Sequence, residues 1–159
     1  MKKILICDID NTVGDQLKRL KRCIDSSSGK VNLDLAYSPE MVKTDVPLAG
    51  AVEGVNAFKD KGYKVIWLSA RKENLKEITN NWLIENGFPV DELIIVNKLA
   101  DKVPIIKSLR PDLVIDDCTY NLQELDPKLA TEFIAQVKEL GVKLEVFNGN
   151  WKELISIYL

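Results

Sequence analysis

Five short apolar runs, set apart by helix-length segments, restrict this chain to one class of fold. The runs are Lys3–Cys7, Tyr63–Leu68, Glu92–Val96, Leu113–Ile115 and Lys143–Phe147. Each is apolar almost without interruption, as strands covered on both faces require. Between them, apolar residues recur at helical spacing. Ala51–Lys61 carries Val52, Val55 and Phe58 and stops at Gly62; Glu73–Asn86 carries Leu75, Ile78, Trp82 and Leu83 and stops at Gly87. Asp101–Leu109 ends before Arg110-Pro111, Pro127–Leu140 follows the cap residue Asp126, and Trp151–Tyr158 follows the cap residue Asn150. Repeated strand–helix units predict an α/β domain around a central parallel five-stranded sheet.

Residues 13–49 break this rhythm. They hold a basic amphipathic piece (Gln16–Ile24), a Ser-Ser-Ser-Gly turn at 26–29 and a mixed stretch to Pro47. So long a connection inside a compact domain is often a lid or a binding loop. The basic run Lys18, Arg19, Lys21 and Arg22 reads first as a solvated helix face and second as an attractor for a polyanionic substrate. No apolar run reaches a membrane span, and the opening apolar run meets Asp8 and Asp10 too soon for a cleavable leader, so it reads as a first strand. The net charge of −2 gives no general affinity for nucleic acid.

Three cysteines (Cys7, Cys23 and Cys118) are too few and odd in number for a disulfide framework, and point to a reducing cytoplasm. Cys7 and Cys118 read as buried packing residues, with a redox switch as the alternative. The chain has no histidine. That excludes histidine-based nucleophilic catalysis and histidine-bound zinc. Chemistry here must use carboxylates, hydroxyls, lysine, thiols or a hard metal.

Residues with those groups fall at matching places. Asp8 and Asp10 end the first apolar run, Ser69 follows the second, Lys102 or Lys98 follows the third, and Asp116-Asp117 follow the fourth. In a right-handed parallel sheet the carboxyl ends of the strands converge on one edge, where ligands bind. Carboxylates gathered there repel one another, and a divalent cation or a shared proton relieves the repulsion.

With these residues in place the chain resembles the haloacid dehalogenase superfamily of phosphatases. Asp8-Ile9-Asp10-Asn11-Thr12 is similar to its Asp-x-Asp-x-Thr motif. Ser69, after Val65-Ile66-Trp67-Leu68, stands for its second motif, Lys102 for its third, and Asp116-Asp117 for its fourth. The resemblance implies a three-layer Rossmann-like domain over residues 1–159, with at most a small cap insert at about 13–49. It implies Asp8 as nucleophile and Asp10 as general acid and base, with a pKa raised by crowded carboxylates. Mg2+ would be held by Asp8, the Asp10 backbone carbonyl and Asp116/Asp117, either of the pair making the direct bond. Ser69 and Lys102 would bind the phosphoryl oxygens, with Lys98 the competing lysine, and Thr12 would shape the loop. Asn11 stands where glycine is commoner in the motif, and asparagine tolerates a left-handed backbone.

Ser69-Ala70-Arg71 and the stretch from Lys102 to Asp117 resemble the phosphatase domain of polynucleotide kinases. Asp116-Asp117-Cys-Thr-Tyr-Asn121-Leu122 resembles small deoxyribonucleotidases. Arg71 would then supply a bidentate phosphate contact. The expected activity is an Mg2+-dependent phosphomonoesterase acting on a nucleotide or a nucleic-acid 3′-phosphate. The expected partners are a small phosphate ester or a nucleic-acid end, no membrane, and a second copy of the chain if the small lid needs completing. The alternatives are a phosphatase of another small metabolite, transfer to an acceptor other than water, and a phosphate-binding module without turnover.

Overall fold

The computed structural model describes residues 1–119 and 127–159. The expected cap Asp126 and the Asn121-Leu122 resemblance lie outside the described residues. The strands are β1 (Ile4–Cys7), β2 (Lys64–Ala70), β3 (Glu92–Val96), β4 (Leu113–Asp116) and β5 (Leu144–Val146). All pair in parallel, in the order β3-β2-β1-β4-β5. The chain builds outward from β1 through β2 to β3, then crosses to β4 on the other side. The order therefore reverses beside β1, and such a reversal opens a crevice at the carboxyl ends of the strands.

The helices are α1 (Gln16–Lys21), α2 (Leu33–Ala36), α3 (Pro39–Val42), α4 (Ala51–Asp60), α5 (Lys76–Glu85), α6 (Lys102–Leu109), α7 (Pro127–Glu139) and α8 (Trp151–Tyr158). Strand side chains alternate between faces, and the core divides accordingly. Leu5, Cys7, Val65, Trp67, Leu113 and Ile115 pack with Val55 and Phe58 of α4, Leu83 of α5 and Leu154 of α8. Ile6, Ile66, Leu68 and Val114 pack on the other face with Ile106 of α6 and Phe133 and Val137 of α7. The result is the three-layer α/β arrangement expected, with two sequence-read helices beginning in a 3-10 turn, at Glu73–Leu75 and Leu99–Asp101. β2 runs two residues past the apolar run, so Ser69 lies inside the strand.

Residues 13–49 form a small layer of their own. Leu20, Cys23 and Ala36 are buried together, with Val31, Tyr37 and Met41 packed against them. The two ends of the segment are tied side by side: Asp15 N donates to Val46 O at 3.0 Å and Leu48 N to Val13 O at 2.8 Å. It thus leaves and rejoins the domain at one point, above the carboxyl end of β1.

Each of the three tryptophans has a partner for its buried indole N–H. Trp67 donates to Pro89 O, Trp82 to Asp45 O at the end of the 13–49 segment, and Trp151 to Thr12 O at 2.7 Å. The last bond joins α8 to the loop after β1. Trp151 also explains Gly54 in the middle of α4, where glycine costs a helix about 1 kcal/mol. A Cβ on Gly54 would stand 2.5 Å from Trp151 Cε3. Gly54→Ala is expected to destabilise the fold by about 1–3 kcal/mol despite its better helix propensity. Urea denaturation measures this, and a stabilised variant would show that α8 does not need the close approach.

Candidate active site

Asp8 comes directly after β1, and Asp116 is the last residue of β4, the strand beside it. Asp8 continues the parity of Ile6, and Asp116 that of Val114. Both therefore turn to the α6 face, and Lys102 is the first residue of α6. Its Nζ lies 2.9 Å from Asp8 Oδ1 and 2.7 Å from Asp116 Oδ2, and all three residues are buried. Burial opposes the charge on Lys102, but Asp116 and Asp8 outweigh it and hold the ammonium well above its ordinary pKa. Lys98 is exposed, and it is Lys102 that the fold brings to Asp8.

The other oxygen of Asp8 accepts from Thr12 Oγ1 at 3.0 Å, and Thr12 Oγ1 accepts in turn from Asp117 N at 3.2 Å. The turn that places Thr12 passes through Asn11 at φ 60°, the left-handed conformation its side chain was expected to tolerate. Cys118 is also left-handed, at φ 61°, and no sequence signal marks it. The turn aims Cys118 N–H at Asp116 Oδ1, 2.8 Å away. The thiols of Cys7 and Cys118 are buried and pushed upward, first by burial and then by neighbouring carboxylates.

Asp8, Asp116 and Asp117 each offer a carboxylate oxygen within 4.8 Å of the others. Burial and then the charge of Asp8 push Asp116 above its ordinary range, although Lys102 pulls it back. Burial and the charges of Asp8 and Asp116 push Asp117 up further. Asp117 Oδ2 accepts from Thr119 Oγ1, but its Oδ1 is buried without a partner among the described residues. Three repelling carboxylates and one orphaned oxygen fit a hard, oxygen-seeking divalent cation. Asp10 is expected at the metal through its backbone carbonyl, and its carboxylate turns to two arginines.

Asp10 Oδ1 lies 2.8 Å from Arg71 Nη2 and 3.3 Å from Arg19 Nη2, and Asp10 Oδ2 lies 3.2 Å from Arg71 Nε. This corrects the sequence reading of its acidity. Burial pushes the Asp10 carboxyl up, but Arg71 and Arg19 outweigh it and hold the group well below the usual carboxylate range. It also corrects Arg71: the bidentate edge expected to face phosphate is joined to Asp10, and Nη1 donates to Thr79 at 2.9 Å. Ser69 Oγ, by contrast, is fully buried near the end of β2 without a partner among the described residues.

Arg19 corrects the reading of the basic run. Lys18, Lys21 and Arg22 are exposed, but Arg19 is completely buried. It bridges Asp10 and Asp45, with Nη1 2.5 Å from Asp45 Oδ2. Asp45 is pushed up to about 7 by burial, against the pull of Arg19. A signal was present: Gln16, Leu20 and Cys23 share one helical face, and residue 19 lies on it. Its partner, 26 positions away, carried none. Arg19→Met is expected to cost about 3–5 kcal/mol, because Asp45 would remain buried beside Arg71 alone, 3.7 Å away. Thermal denaturation measures it, and a loss below about 1 kcal/mol, the range of a surface pair, would show that the pair carries no weight.

Asp8, Asp10, Arg71 and Lys102 line one cavity of about 280 Å3. The sequence family described as PITM 1-3, LNS2 domain, a haloacid dehalogenase-like domain, matches residues 6–121, most of the chain. The chain belongs to that family. This LNS2-type domain is also 32% identical over 81 residues to a "putative nucleotidase" of Bacillus cereus, covering 50% of this chain and 43% of that protein. The chain spans about half the length of the curated relatives it matches. Among solved structures it is similar to a chain of the Pnkp1/Rnl/Hen1 RNA repair complex (TM-score 0.63, 19% identity, 93% of this chain and 43% of that one). It is likewise similar to the class C acid phosphatase of Bacillus anthracis (TM-score 0.65, 19% identity, 95% of this chain and 68% of that one). At these identities the likeness is one of fold alone, and the fold is the parallel three-layer α/β arrangement described above. Among the described residues, no helix is long and apolar enough to cross a membrane.

Proposed function

We propose that this LNS2-type domain is a Mg2+-dependent phosphomonoesterase that acts through an aspartyl-phosphate on Asp8, with a nucleotide or a nucleic-acid 3′-phosphate as substrate. One observation carries the reading: Lys102 Nζ joins Asp8 to Asp116, in the same 4.8 Å cluster of carboxylates that holds Asp117. A structural ion pair has no use for a third acid whose Oδ1 is buried and unpaired among the described residues, whereas a phosphoryl-transfer site needs its charge. The nucleotidase relatives and the phosphatase neighbours support the substrate class.

The chain's own residues divide the work. Asp8, Asp116 and Asp117, with the Asp10 carbonyl, would hold the metal, which supplies positive charge against the phosphate and the nucleophile. Thr12 and Lys102 fix Asp8, which attacks phosphorus as the bond to the ester oxygen breaks. Asp10 gives a proton to that oxygen, then takes one from the water that attacks the phosphorus and frees Asp8. Lys102 and the unpartnered hydroxyl of Ser69 receive the phosphoryl oxygens. Because Asp10 is ion-paired with Arg71 and Arg19 and is therefore ionised, substrate entry must loosen those pairs and Asp10 must take up a proton from water before it can donate one. The 13–49 segment acts as a small lid on a single domain, leaving the mouth open to a nucleotide.

Phosphate release from a panel of nucleoside monophosphates, a 3′-phosphorylated oligonucleotide and sugar phosphates tests the reading. Turnover is expected with Mg2+, to fall about a hundredfold or more in EDTA, and to return when Mg2+ is restored. Strong preference for sugar phosphates would overturn the substrate class. Release that is indifferent to EDTA would overturn the metal, and tight binding without release would leave a phosphate-binding module.

A further inference from the structure

We propose that Leu33, Asp34 and Tyr37 form a subsite for the nucleoside of a single nucleotide and disfavour a nucleic-acid strand. This deepens the phosphatase reading and rests on it. The cavity has two ends of different chemistry. The end with Asp8 and Lys102 is charged and belongs to the sheet. The other end is made by the 13–49 segment, through Leu33 and Asp34 of α2 and Tyr37 just after it.

Size is the first constraint. At about 280 Å3 the cavity lies near the lower limit for pockets that enclose a small organic ligand. A phosphoryl group and one nucleoside fill it; a second nucleotide would lie outside.

The wall is the second. Tyr37 is held on two sides: its hydroxyl accepts from Gln16 Nε2, and the Arg19 guanidinium lies 5.1 Å from its ring centroid. The ring is therefore a fixed surface, and Leu33 adds an aliphatic one. Fixed aromatic rings stack bases of any sequence, because every base has a π-face. A bare sugar phosphate or a polyol offers no flat apolar face to such a wall.

Charge is the third. The Asp34 side chain is 97% exposed, and its ion pair with Lys72 spans 3.9 Å. Such a pair opens at little cost. Its carboxylate can then accept hydrogen bonds from the neighbouring hydroxyls of a ribose. The same carboxylate repels the next phosphodiester of a strand, which has no hydroxyl pair to offer at that linkage.

The test compares kcat/KM for adenosine 5′- and 3′-monophosphate, a 3′-phosphorylated oligonucleotide and glycerol 2-phosphate. The wild type is expected to favour one of the mononucleotides over both other substrates by about tenfold or more. Tyr37→Leu should cut the ratio of mononucleotide to glycerol phosphate about tenfold, and Tyr37→Phe, which keeps the ring, should restore most of it. Asp34→Lys lies at the surface and spares the fold. It should raise the oligonucleotide relative to the mononucleotide several-fold. A wild type that prefers the oligonucleotide, or ratios unmoved by both Tyr37→Leu and Asp34→Lys, would overturn the subsite. If no substrate is turned over, the phosphatase reading fails, and calorimetric binding of the two mononucleotides decides the subsite alone. Binding weakened about tenfold by Tyr37→Leu would keep it, and absence of binding would overturn it.

Discussion

Asp8→Asn is expected to lower phosphate release by about four orders of magnitude or more while the domain stays folded. The amide keeps the shape of the carboxylate, so Thr12 Oγ1 can still donate to it across the present 3.0 Å. Lys102 keeps Asp116 as a partner at 2.7 Å, so no buried cation is orphaned. One of three mutually repelling carboxylates disappears, which offsets the lost ion pair. What cannot be replaced is the anionic oxygen that attacks phosphorus. Single-turnover phosphate release, measured beside urea denaturation, separates the two effects. Turnover at the wild-type rate would remove Asp8 from the nucleophile's role, and a collapse in stability would mean that the residue is mainly structural.

Lys102→Met has the opposite profile, with a large effect on stability. Methionine fills much of the same volume but leaves Asp8 and Asp116 buried without their cation. Removing one partner of a buried ion pair costs about 3–5 kcal/mol, a large share of a domain's stability. The sign of the pH dependence follows. In the variant Asp116, already pushed above its ordinary range by burial and the charge of Asp8, loses the ammonium that pulled it back, so its folded pKa stands above the unfolded value of about 4. It is accommodated neutral below that value, and stability is lost as the pH rises through the folded pKa. The deficit should therefore be small near pH 4 and largest near neutrality. Mg2+ should return part of it by supplying the missing positive charge. Urea denaturation at the two pH values, with Mg2+ and with EDTA, reads all three effects. A deficit independent of both pH and Mg2+ would mean that lost packing, rather than unpaired charge, destabilises the variant.

Most of the frame was legible because it depends on local pattern. The five apolar runs became five parallel strands with no end moved by more than two residues, and Glu92–Val96 and Trp151–Tyr158 were read to the residue. Asp8, Lys102, Asp116 and Asp117 converge because a parallel sheet sends the ends of its strands to one edge, a rule that needs no side-chain detail. Arg19, Asp45 and the environment of Asp10 were different. Arg19 sits in a run of four basic residues, and its neighbours are indeed solvated. Its burial follows from α1 docking over the end of β1, and that docking is set by Trp82, Leu48 and the small core around Leu20. Of these, Trp82 and Leu48 lie far from Arg19 in the chain.

Composition and periodicity decided that this is a parallel α/β domain whose chemistry is limited to carboxylates, hydroxyls, lysine, thiols or a hard metal. Helical and strand spacing are local properties, and an absent histidine is absent in any fold. The charge state of Asp10 was decided only by tertiary structure. Crowded carboxylates argue for a raised pKa, but two arginines from distant parts of the chain meet at its Oδ1 and reverse it. Electrostatic energy depends on distances of a few ångströms between residues far apart in sequence, and those distances exist only once the layers have packed.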